Sequence, residues 1–410
     1  MMTRFCRYIE KVFDFGERVA KLKDHRVRPR IPTSAIWTSV FFLFVMRQRS
    51  LNAMEGQLRQ PRRMEWLIGH RKPSADRMGG VLGLMDPDPL RNLLAGINHQ
   101  VGRNKALQNG WPLRVGAMDG HEFFSSRLRS CPECSKRLVK VKKEQVMENY
   151  HQGAVFHLIG FPIAMPLDVE MIRPREGELT AAKRLLARAV HSYGRFFDVV
   201  LADALFFKAP FVNACLGYGK HVITVLKGDN RALLQDAKGV FSLLKPKTWK
   251  GPGQRIEAWD AEEFTSADGV RVPLRVIHTQ ETITKRHRQA GQWVKKVENH
   301  SWWWATTLPA SQAPTSLFWK IAHGRWQIEN DLFHSLATYW SLDHCFRHHP
   351  TAILNFILTL FIAFVLLHSF YWGNLKPPRR AHLTLIGLSQ ELNVTVMLLD
   401  LPAPWLERGG

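Results

Sequence analysis

Acidic residues are scarce in this chain: 35 Asp and Glu stand against 57 Lys and Arg, leaving +22 over 410 residues. A field of that sign attracts polyanions, with nucleic acid the default because each neutralised phosphate releases condensed counterions. A membrane surface and the ribosome are rival partners on charge alone. Cysteine is scarcer still. Cys6, Cys131, Cys134, Cys215 and Cys345 form an odd set without framework spacing, which argues against a disulfide-stapled secreted fold and for a reducing compartment. The opening Met1-Met2-Thr3-Arg4-Phe5-Cys6-Arg7 leads into charged residues rather than an apolar run, so no signal peptide is expected. No glycine loop for a nucleotide is present: Gly228-Asp229 and Gly251-Pro252-Gly253 read as turns.

The chain is long enough for two or three domains and its 45% hydrophobic content is ordinary for a packed core. Residues 1–110 read as a basic helical domain suited to DNA ends, carrying 20 Lys/Arg against 9 Asp/Glu. Phe5, Ile9, Val12, Val19 and Leu22 recur at helical spacing. Thr33 or Ser34 is expected to cap a buried helix through Met46, and Asp88-Pro89 to start another through Asn104. No helix-turn-helix stands out, so a plain solvated bundle is an equal reading.

From residue 111 the pattern turns to strands. Leu113–Asp119, Ala154–Gly160 and Ile163–Ile172 come first, followed by a helix with Leu179, Ala182, Leu186, Ala189 and Tyr193 on one face, ended by Gly194. Strand Asp198–Ala202, a short helix near Pro210–Leu216 and strand His221–Leu226 follow. That order predicts an α/β fold: a ribonuclease H-like mixed sheet flanked by helices, with the N-terminal all-α domain and a β-rich insertion. The expected segments are 111–227 for the first part of the core, 228–308 for the insertion, 309–375 for the second part, and 376–410 for a tail.

Three carboxylates fall where such a sheet would gather them. Asp119 and Asp203 each end an apolar run, and Glu329 lies in the helical-looking Gly324–Asn330. Two-metal phosphoryl transfer needs carboxylates converging from separate elements to hold cations roughly 3.5–4 Å apart. The gap of 126 residues (329 − 203) before the glutamate is far too long for a bare loop, which fits an insertion.

The segments Met118-Asp119-Gly120, Leu201-Ala202-Asp203-Ala204-Leu205-Phe206 and Arg325-Trp326-Gln327-Ile328-Glu329-Asn330-Asp331-Leu332-Phe333 resemble the DDE transposases of bacterial insertion sequences, in the class with a β insertion before the glutamate. The resemblance spans roughly residues 111–370. It implies a cytoplasmic, nucleoid-associated enzyme that cuts DNA and joins 3′-hydroxyl ends to a target. Implied partners are double-stranded DNA, as terminal inverted repeats and target, and a second copy of the chain; implied cofactors are Mg²⁺ or Mn²⁺. By the same resemblance Asp119, Asp203 and Glu329 hold the metal and Arg325 contacts phosphate. The family's tyrosine and lysine positions are here Ala322 and Leu336, which leaves open a degenerate or domesticated relative that binds DNA without cutting. His323 or His334 is a conceivable substitute.

Trp302, Trp303, Trp304 and Trp326 are candidate stacking groups, because related transposases hold a flipped base on an insertion tryptophan, though strand alternation must bury at least one of the three. Cys131-Pro132-Glu133-Cys134 resembles half a zinc knuckle, and His121 and His151 are candidates to complete a structural zinc site. His344, Cys345, His348 and His349 read instead as groups facing phosphate or water. Residues 352–372 are apolar enough to span a membrane, but Asn355, Thr359, His368 and Ser369 interrupt them, so a buried helix covering the sheet is expected, and no membrane partner.

Overall fold

The computed structural model describes residues 1–60, 64–69, 71–104, 111–142, 144–228, 231–251, 253–289 and 292–396. Asp229, Pro252 and residues 397–410 of the tail lie outside the described residues. Helices open the chain: α1 (Met2–Phe13), α2 (Phe15–Ala20), α3 (Thr33–Val45), α4 (Leu51–Arg59), α5 (Glu65–Ile68), α6 (Ala75–Leu84) and α7 (Pro87–Arg103). Strands β1 (Val115–Ser126), β2 (Ser135–Val141), β3 (Glu144–Ile159) and β4 (Met165–Met171) precede α8 (Glu178–Tyr193). Then come β5 (Val199–Ala202), α9 (Ala209–Gly217), β6 (His221–Val225) and α10 (Arg231–Ser242). Strands β7 (Lys247–Gly251), β8 (Gln254–Phe264), β9 (Leu274–Gln289) and β10 (Gln292–Thr306) lead to α11 (Thr315–His323), α12 (His334–Trp340), α13 (Pro350–Asn374), α14 (Pro377–His382) and α15 (Leu385–Val396). The protein is thus mixed α/β, in keeping with a ribonuclease H-like core.

Two compact units are assembled from separated stretches of chain. One comprises Met1–Gly110, Gly120–Gly194 and Gln327–Gly410; the other comprises Trp111–Asp119 and Arg195–Trp326.

In the first unit the organising element is α13. It is long and apolar enough to cross a membrane, yet 83% of its most apolar stretch is buried inside the protein. It packs against α3, α6, α7 and β4, so it centres the helical unit rather than merely covering a sheet. A helix apolar on every side needs such a surround. The polar interruptions carry the argument further, because each meets a protein partner. Asn355 donates through Nδ2 to the carbonyls of Leu82 (2.8 Å) and Met85 (2.9 Å), at the end of α6. Thr359 Oγ1 accepts from the Trp37 indole at 3.0 Å. Ser369 Oγ lies 2.8 Å from the Tyr8 hydroxyl, and His368 Nδ1 accepts from the Ala164 N–H at 3.4 Å.

The same unit carries the β2–β3 and β3–β4 antiparallel pairs. On β4, Asp168 and Glu170 are 4% and 9% exposed. Both are held by Arg188 of α8, which is 2.8 Å from Glu170, and Arg91 of α7 adds a 3.2 Å contact to Asp168. The charged hairpin β2–β3 lacks the apolar alternation of a half-buried strand, so its first half was not legible.

In the second unit the strand order is β1-β5-β6-β10-β9-β8-β7. β1, β5 and β6 run parallel, and every pair beyond β6 is antiparallel. The β-rich stretch also holds helix α10, whose Leu233, Ala237 and Phe241 are buried.

Several starts and stops differ from the sequence reading for local reasons. A left-handed Asp14 (φ 49°) breaks the first helical stretch into α1 and α2. Thr33 lies inside α3 and gives its hydroxyl to Asp24 at 2.5 Å, leaving Pro32 at the cap. α7 starts two residues early, with Asp86 as cap and Pro87 at the first turn.

Replacing Asn355 by Leu should leave two buried carbonyls of the α6 terminus without their donor, at about 2–4 kcal/mol of stability. Guanidinium unfolding of the two proteins checks this, and an unchanged midpoint would show that those carbonyls are satisfied another way.

Candidate active site

Asp119 lies within β1, which continues to Ser126, and is not at the strand's end as its apolar run suggested. Asp203 does follow β5 at once. The parallel register sets Met118 opposite Ala202. Asp119 and Asp203 are the residues that follow this pair, on two strands about 4.8 Å apart in the pairing direction. Ala117, Met118, Leu201 and Ala202 beneath them are at most 1% exposed, so the core fixes the pairing.

Each aspartate has a cation beside it. Arg325 Nη1 is 3.2 Å from Asp119 Oδ2, and Lys227 Nζ is 3.7 Å from Asp203 Oδ2. Lys227 follows β6 as Asp203 follows β5, at the carboxyl edge where open α/β sheets bind ligands. That rule could have singled out Lys227 from the sequence. Two carboxylates with cations drawn to them form a hard oxygen donor set, which suits Mg²⁺ or Mn²⁺.

An aromatic wall stands on β10 and the α11 region. Trp302 meets Trp326 edge-on, with centroids 4.9 Å apart, and His323 at 6.0 Å. Trp303, on the opposite face of the strand, stacks on His278 at 4.0 Å and on Phe241 at 5.7 Å. Trp304 is 1% exposed, packed against Phe318 and His323, and has no face left for a base. This corrects its candidacy as a stacking group.

His323 is committed within the protein as well. Its Nε2 lies 2.7 Å from Glu281 Oε1, which also accepts from the Trp319 indole (2.8 Å) and the Thr279 hydroxyl (2.9 Å). Glu281 is 4% exposed. Burial pushes its carboxyl up, and the hydrogen bonds from His323, Trp319 and Thr279 outweigh that, so its pKa ends below the ordinary value. Sequence reasoning passed over this group because β-strand glutamates are usually solvated.

Glu329 belongs to the other unit. It sits in a π-helical turn, Ile328–Phe333, closed by the His334 N–H reaching back five residues to the Glu329 carbonyl. Such turns occur often at functional sites. Ala322 and Leu336 are 3% and 0% exposed, apolar side chains turned into packing. His334 is exposed and lies edge-on to Tyr339.

In that unit the Glu178 carboxylate closes over the residue after Asp119: a Cβ on Gly120 would stand 2.5 Å from Glu178 Oε1 and would displace it. Glu178 is a further carboxylate that the sequence did not single out. His121 does not join the cysteines. Its Nε2 is 2.7 Å from Asp343 Oδ1 and its ring stacks on Phe333 at 4.5 Å. Cys131 and Cys134 converge instead with His151 and His348.

The sequence model of a family described as Transposase DDE domain matches residues 137–366, more than half of the chain. The span includes Asp203, Arg325 and Glu329, and Asp119 precedes it. No curated protein matches the chain.

Because folding lowers the proton affinity of Glu281, its contribution to stability is complete above the unfolded carboxyl value, about 4.3. It is lost as the pH falls through the lower folded value. Glu281→Gln should therefore flatten the acid limb of a stability-against-pH curve, and an unaltered limb would remove Glu281 from it.

Proposed function

Since the chain belongs to the transposase DDE domain family, we propose that it is a metal-dependent transposase that cuts DNA at the ends of its own insertion sequence and joins the freed 3′-hydroxyls to target DNA. The observation that supports this best is the β1–β5 register, whose last pair, Met118 with Ala202, is followed on each strand by an aspartate with a cation beside it. These two would hold the divalent ions, with Glu329 the third ligand by its Arg-Trp-Gln-Ile-Glu-Asn context and its place within the matched span. When bound, the ions supply activation of the attacking oxygen and neutralisation of the leaving one.

The protein's own groups do the rest. Arg325 and Lys227, beside the aspartates here, would offer positive charge to phosphate at the same edge, and phosphate suits the guanidinium fork. They supply the charge and positioning that Ala322 and Leu336 cannot. Trp302 and Trp326 offer a surface for an unpaired base, each stacked base being worth about 1–3 kcal/mol. The β9–β10 hairpin adds exposed Lys285, Arg286, Lys295 and Lys296 for the backbone. Specific joining of two ends implies a dimer on DNA.

A second reading, a relative that binds DNA without cutting, is favoured by the burial of Ala322 and Leu336, which leaves no room to recover the family's tyrosine and lysine there.

With labelled DNA spanning the gene and both flanks, Mg²⁺ should give discrete cuts at inverted-repeat boundaries. Asp119→Ala, Asp203→Ala and Glu329→Ala should each lower cutting by more than about 100-fold while keeping DNA affinity, since loss of even an outer partner of a metal costs about 10–100-fold. Inert wild-type protein that binds DNA tightly would establish the second reading. Arg325→Ala should reduce the slope of log affinity against log salt by about one, as for a lost phosphate contact, and an unchanged slope would take Arg325 off the DNA.

A further inference from the structure

The loop between β1 and β2, the middle of β3 and the lead-in to α13 bring four soft or borderline ligands to one point. Cys131 Sγ and Cys134 Sγ are 3.6 Å apart. His151 Nε2 lies 3.3 Å from the first sulfur and 3.2 Å from the second. His348 Nε2 lies 3.2 Å from Cys134 Sγ, and all four ligand atoms fall within 4.8 Å of one another. A tetrahedral zinc with bonds of about 2.3 Å to sulfur and about 2.05 Å to nitrogen spaces its ligands about 3.8 Å apart for S···S and about 3.5 Å for S···N. The four atoms therefore surround a zinc-sized point. The imidazole planes stand 87° apart, as ligands approaching from different corners do.

The local backbone is arranged for thiolates. The Cys134 N–H donates to the Cys131 carbonyl at 3.1 Å, folding the Cys-x-x-Cys turn, and the Cys131 N–H points at Cys134 Sγ at 3.2 Å. His151 is fixed by its place in β3, and His348 directly precedes His349, the N-cap of α13. A disulfide is the competing use of the two sulfurs, but it leaves two imidazole nitrogens aimed at sulfur with no role.

We infer that Cys131, Cys134, His151 and His348 form a closed structural zinc site that ties the β1–β2 loop and β3 to the start of α13. Four protein ligands leave no open position for catalysis, and the two thiolates select zinc over Mg²⁺. Every ligand lies in one compact unit, and the inference holds whether or not the chain cuts DNA.

The test uses the full chain purified without chelator. Elemental analysis should find one zinc per chain, and cobalt exchanged into the site should show the visible bands of a tetrahedral thiolate complex. A strong chelator should lower the melting temperature, and zinc but not Mg²⁺ should restore it. His348→Ala should weaken zinc binding by more than about 100-fold, whereas His121→Ala and Cys345→Ser should leave the stoichiometry at one. If His348→Ala fails to fold, the cobalt spectrum and chelator response of the unaltered chain decide. Metal-free protein with a chelator-insensitive melt, a Cys131–Cys134 disulfide by thiol titration, or zinc lost in Cys345→Ser would each overturn the assignment.

Discussion

Parallel pairing of β1 with β5, Met118 against Ala202, is the constraint on which the candidate active site depends. The pairing makes neighbours of two aspartates 84 residues apart (203 − 119), and it is enforced from below by apolar side chains. Val115–Met118 and Val199–Ala202 are buried on both faces of the sheet, so the stretches that fill the core are also the ones that lead to the two carboxylates. Carboxylates brought together on neighbouring strands repel each other. Arg325 and Lys227 offset that repulsion, and the excess positive charge of the chain makes such partners easy to supply.

Helix α13 shows how length and hydropathy alone mislead. Twenty-five largely apolar residues satisfy a membrane span and a buried core helix equally well. Its polar atoms separate the two. Asn355, Thr359, His368 and Ser369 each reach a defined protein group, three of them on helices from the first hundred residues or the turn that ends α6. A lipid environment offers no such partners, so those side chains explain why the helix is the centre of a unit.

The cysteine pair shows the reach of local pattern. Cys-x-x-Cys fixes two ligands because a tight turn can close on one ion, and nearby His151 follows from the return of β3. His348 is separated from Cys134 by 214 residues, and no spacing rule connects them. In the sequence it belonged to a different group, with His344, Cys345 and His349. His121 was nearer in sequence but is held by Asp343 and Phe333.

By itself the sequence determined the charge and hence an attraction to polyanions, most of the strand and helix order from β1 to β6, the carboxylates worth testing, and the burial of at least one of three successive tryptophans. These follow from composition, periodicity and short motifs, which local chemistry fixes. Tertiary structure alone decided that Asp119 and Asp203 follow one aligned pair on adjacent strands, that Lys227 and Arg325 stand beside them, that Trp304 is the buried tryptophan, that Glu329 lies in a π-helical turn, and that His348 joins the cysteines. Each of these depends on strand register or on contacts between distant segments, and those are set by how the core closes, not by any local run of residues.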